Sequence, residues 1–97
     1  MPISETRVAT AHGSPYLQQL CKHWSHKFTV DFTGERGMID FGEGRSCALM
    51  ADAEMLTLRA TVPEEGDVER FEGVIAEHLK RFAFREELSI VWTRLGD

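Results

Sequence analysis

The sequence predicts an α+β two-layer sandwich: one antiparallel sheet with two helices on one face, in the order β-α-β-β-β-β-α-β. Three observations predict it. Two segments, around residues 16–27 and 66–82, repeat apolar residues every three or four positions, the period of an amphipathic helix. Four short runs between them alternate apolar with polar residues, the period of a half-buried strand. A further alternating run stands at each end. Right-handed helical crossovers combined with a meander in sequence order give a single sheet ordered 2-3-4-5-1-6.

The elements follow in order. Residues 5–11 alternate, with Val8 on one face and Ala9 and Ala11 on the other. Gly13-Ser14-Pro15 stops this strand; Ser14 suits an N-cap, and Pro15 suits the first helical position, where its missing N–H costs nothing. Leu17, Leu20, Cys21, Trp24 and Phe28 then form one stripe, and Lys22, His23, His26 and Lys27 complement the negative end of the helix dipole. Phe28, Val30 and Phe32 alternate, Gly34-Glu35-Arg36-Gly37 turns, Ile39 and Phe41 alternate, and Gly42-Glu43-Gly44 turns again. Cys47, Leu49 and Ala51 precede a turn at Asp52-Ala53-Glu54, after which Leu56, Leu58, Ala60 and Val62 complete the meander. Pro63 ends it, and Glu64, Glu65 and Asp67 provide the negative charge that favours a helix start. Val68, Phe71, Ile75, Leu79 and Phe82 form the second stripe, with Phe82 and Phe84 expected to close the bottom of the core. The last strand is expected over residues 88–94, with Leu88, Ile90 and Trp92 facing inward.

At 97 residues the chain suits one domain, 1–97, with a single core. Its apolar runs reach four or five residues, far short of the roughly 18–20 of a bilayer span. The N-terminal residues resemble no export signal, so a cytoplasmic protein is expected, with Cys21 and Cys47 as reduced thiols packed like small hydrophobes. The formal charge of −5 argues against nucleic acid as a partner. That charge is uneven. Residues 1–50 carry five basic and five acidic side chains, whereas residues 51–97 carry six and eleven. No carboxylate occurs between Glu5 and Asp31, a stretch that holds three of the four histidines.

Four residues stand out as a candidate ligand site: His23, His26, His78 and Arg81. His23 and His26 lie one helical turn apart on the outward face, a spacing that allows two imidazoles to reach one metal ion at roughly 2.0–2.1 Å. They are the metal candidates, against the simpler reading of a solvated helix face that happens to contain histidine. His78 borders the second apolar stripe, where a half-buried histidine serves either as a hydrogen-bonded core residue or as a general base. Arg81 follows Glu77 at i, i+4, within reach of an ion pair. No nucleophile elbow surrounds any serine, Gly42-Glu43-Gly44-Arg45 suits a hairpin rather than a phosphate cradle, and Gly73 falls on the outward face of the second helix. No motif specifies a cofactor.

Residues 16–27 (YLQQLCKHWSHK) resemble the signature of a bacterial family catalogued as domain of unknown function 2218 (DUF2218). The similarity continues through Gly37-Met38-Ile39-Asp40-Phe41, through residues 78–86 (HLKRFAFRE) and to Trp92. The resemblance implies a stand-alone cytoplasmic bacterial protein with no established activity. Some relatives are joined to siderophore-interacting ferric reductases, which implies an accessory role in siderophore or iron metabolism. Where that family often carries a basic residue before the tyrosine, this chain has Pro15.

Three functional classes follow. The first is a non-catalytic binding module that engages a small molecule, an iron-bearing compound or a protein through its histidine-bearing surface. The second is a small enzyme, with His78 as acid or base and Arg81 orienting an anion. The third is a homodimerisation domain acting through a sheet edge or the second helix.

Overall fold

A computed structural model describes residues 1–96 and shows the expected sandwich; Asp97, the last residue of the expected domain, lies outside the described residues. The elements are β1 (Ile3–Ala9), α1 (Gly13–Trp24), β2 (Thr29–Phe32), β3 (Arg36–Gly42), β4 (Arg45–Ala51), β5 (Met55–Thr61), a 3-10 turn (Glu65–Asp67), α2 (Val68–Phe82) and β6 (Trp92–Gly96). The sheet order is β2-β3-β4-β5-β1-β6, and the register pairs are antiparallel throughout.

The pleat decides which residues meet the helices. Val8, Ile39, Cys47, Leu49, Leu56 and Leu58 are fully buried or nearly so on the helix side, against Leu17, Leu20, Cys21, Ile75 and Leu79. Each such aliphatic side chain contributes about 1.5–3 kcal/mol relative to exposure. The opposite sheet face meets water. Glu5 lies on it yet is only 7% exposed, because Arg59 and Arg7 both donate to its carboxylate.

Gly37 belongs to β3 and not to the preceding turn. A Cβ there would stand 2.8 Å from Cys21 Sγ and 3.3 Å from Phe32 Cβ. Glycine therefore lets α1 settle directly on the strand backbone. The β3–β4 hairpin is the expected turn: Gly42, Glu43 and Gly44 all have positive φ, a conformation that glycine adopts without steric cost.

Several boundaries differ from expectation. β1 starts and ends two residues earlier than the alternation suggests. The first helix starts at Gly13, because Thr10 Oγ1 accepts from the His12 N–H and the His12 carbonyl accepts from Tyr16 N–H. Ser14 is thus inside the first turn, its hydroxyl accepting from Gln18, and Pro15 is tolerated there because that N–H has no helical acceptor. The helix ends at Trp24, where Lys27 and Phe28 N–H both turn back to the Trp24 carbonyl, so His26 lies beyond it. Residues 88–91 are not paired in the sheet; β6 begins at Trp92, while Leu88, Ile90 and Trp92 still pack on the core. Phe84 does not close the core. It is 75% exposed beneath the Arg85 guanidinium.

Candidate functional site

The C-terminal halves of α1 and α2 meet over an aromatic column. Trp24 of α1 stacks edge-on with Phe41 of β3 at 5.1 Å between ring centroids, and Phe41 meets Phe71 of α2 at the same distance. Phe28 joins from the start of β2 at 4.8 Å. This column fixes how the helices sit on the sheet and leaves their last turns side by side.

The seam brings two of the sequence candidates together. The His23 and His78 rings lie 5.1 Å apart, centroid to centroid, and His78 also lies 4.8 Å from Trp24. His23 rests edge-on against Trp24 and Phe82, each at 5.9 Å. His23 is exposed and His78 half-buried. The His78 Nδ1 stands 2.7 Å from the Val74 carbonyl oxygen, which only accepts, so the ring donates there, and in its neutral form Nε2 carries the lone pair.

His26 is exposed in the turn after α1 and takes no part in these ring contacts. Arg81 is exposed in the last turn of α2; among the described residues its expected pair with Glu77 does not form. Both helices carry basic residues in their last turns, Lys22 and His23 in α1 and Lys80 and Arg81 in α2. These complement two negative dipole ends.

A second polar cluster escapes sequence reasoning. The Glu86 carboxylate, beyond α2, accepts hydrogen bonds from Tyr16 Oη, from Thr10 Oγ1 at 3.1 Å and from His12 Nδ1 at 3.1 Å. The Tyr16 hydrogen bond first, then those from Thr10 and His12, hold Glu86 below the usual carboxylate value. Reciprocally, Glu86 and burial push the Tyr16 phenol up to about 12. Tyr16 opens one family-like motif and Glu86 closes the other, the only sequence signal that links them. The cluster ties the segment after α2 to the start of α1.

The remaining candidates are inert. Cys21 and Cys47 are fully buried, and burial pushes their thiols up to about 11 and about 12, with Cys21 adding to the shift at Cys47. A cavity at the start of α1 is lined by Ser14, Gly34, Glu35 and Asp52, whose two carboxylates oppose an anion there. A groove of about 350 Å³ crosses the open sheet face between Asp31, Arg36, Met38, Ala48 and Met50. Neither contains His23, His26, His78 or Arg81.

Fold and seam define a small α+β protein with paired helices on one sheet face and, between them, an imidazole pair of which His23 is exposed and His78 half-buried. The chain belongs to the family described as uncharacterized protein conserved in bacteria (DUF2218), whose model matches residues 5–93. It is similar to PA4090 from Pseudomonas aeruginosa, a structure solved by NMR, with 40% identity, 96% of each chain covered and a TM-score of 0.80. No curated protein matches it.

Proposed function

We propose that this chain is a single-domain, non-catalytic binding module whose ligand face is the α1–α2 seam. His23 and His78 form its centre, and His26 and Arg81 stand at its margins. The supporting observation is the approach of two imidazoles from different helices over a rigid aromatic base, with the His78 tautomer fixed by Val74. A preorganised, partly apolar surface with a few oriented polar groups suits recognition of a small molecule.

In its finer form the reading makes the protein a cytoplasmic accessory of siderophore or iron handling, with an anionic iron chelate as ligand. Lys22, Lys27 and Arg81 supply positive charge, and the aromatic rings supply contact area for a flat ligand. Calorimetry with a ferric tricatecholate and a neutral ferric trihydroxamate tests it. The tricatecholate binds, and Arg81→Ala and His23→Ala each weaken it. Absence of heat with both chelates, together with unchanged amide shifts over residues 19–27, removes the chelate reading.

A further inference from the structure

We infer that His23 and His78 form a two-imidazole chelate for a borderline divalent cation of the Zn²⁺, Ni²⁺ or Cu²⁺ type. The remaining coordination positions stay open to donors of a bound small molecule. The inference rests on the seam being the ligand face and names the ligand class as a metal complex.

The spacing of the rings supports it first. A metal–nitrogen bond of roughly 2.0–2.1 Å, with the ring centre just over about 1 Å beyond the nitrogen, brings two cis imidazoles to about 5 Å between centroids. Their separation is 5.1 Å. The second support is orientation. The His78 Nδ1–H bonds a backbone carbonyl, the outer partner that metal-binding imidazoles commonly have, which in the neutral ring assigns the lone pair to Nε2. His23 is held by ring edges on two sides, and no hydrogen bond engages its nitrogens among the described residues.

The charged residues that neighbour the pair along each helix, Lys22 on α1 and Glu77, Lys80 and Arg81 on α2, are all exposed to water. Among the described residues no group of three or more His, Cys, Asp or Glu side chains converges on one point. The protein therefore supplies two ligands, which suits reception of a metal complex rather than a closed structural site. This pair spans two helices, in contrast to the His23 and His26 pair that helical spacing alone suggests.

Imidazole ¹⁵N spectra of the untagged full chain during addition of Zn²⁺ at pH 7.5 test the inference. The His23 and His78 signals shift together and saturate at one ion per chain, while those of His12 and His26 hold. His23→Ala and His78→Ala each weaken Zn²⁺ by about tenfold or more, and His26→Ala changes it by less than about twofold. Joint shifts of His23 and His26 with His78 fixed would place the ion on α1 alone and overturn the inference. Unchanged spectra would overturn it too. Either result leaves the seam reading to the chelate calorimetry, which probes binding through the outer surface of a saturated complex.

Discussion

Two glycines with opposite surroundings give opposite expectations. At Gly37 a Cβ collides with the buried Cys21 sulfur, so Gly37→Ala costs about 1–3 kcal/mol in urea denaturation. At Gly73, mid-helix with nothing within 4 Å, Gly73→Ala stabilises by about 0.5–1 kcal/mol. Glu5 sets an acid limit. The Arg59 hydrogen bond, followed by that from Arg7, outweighs burial and holds its carboxyl below the ordinary value. The stability this supplies is present above the unfolded-state pKa and is lost as pH falls through the lower folded value, below about pH 4. Glu5→Gln flattens that acid limb and costs about 1 kcal/mol at neutral pH, since the half-exposed Arg59 is partly screened. The two buried thiols, raised to about 11 and about 12, stay unreactive toward a disulfide reagent at pH 8 until the chain unfolds.

The helices depend on the aromatic column more than on any cap, since neither α1 nor α2 has a side-chain N-cap hydrogen bond. Trp24→Ala removes the ring shared by α1, β3 and His78 and costs about 3–5 kcal/mol by denaturant titration. Element type was legible wherever a period repeated: 3.6 in the helices, two in the meander, and glycine turns at positive φ. Boundaries were less so, because they depend on groups outside the pattern. Thr10 begins α1 early, and the backbone of Lys27 and Phe28 ends it. Leu88 and Ile90 alternate like a strand because they bury one face, although the chain there has no ladder partner. The site was legible residue by residue but not as a set. Helical spacing pairs His23 with His26, whereas packing pairs it with His78, 55 positions further along the sequence. Glu86 went unseen for the same reason.

Across the whole molecule, the charge of −5 is unevenly spread: acidic Glu64, Glu65, Asp67 and Glu69 gather at the start of α2, where Arg45 and Arg94 pair with two of them, while residues 77–87 at its end balance three basic against three acidic side chains. Affinity for an anionic chelate rests on lysine and arginine charge and declines with added salt. Salt-insensitive binding would remove the electrostatic part of the account. The central claim is that the seam, rather than the open sheet face, receives ligand. Its most direct test is an amide shift map with a gallium(III) tricatecholate, a diamagnetic stand-in for the ferric complex. The predicted perturbations fall in residues 22–27 and 74–82; perturbations confined to Arg36, Met38 and Met50 on the open sheet face would contradict it.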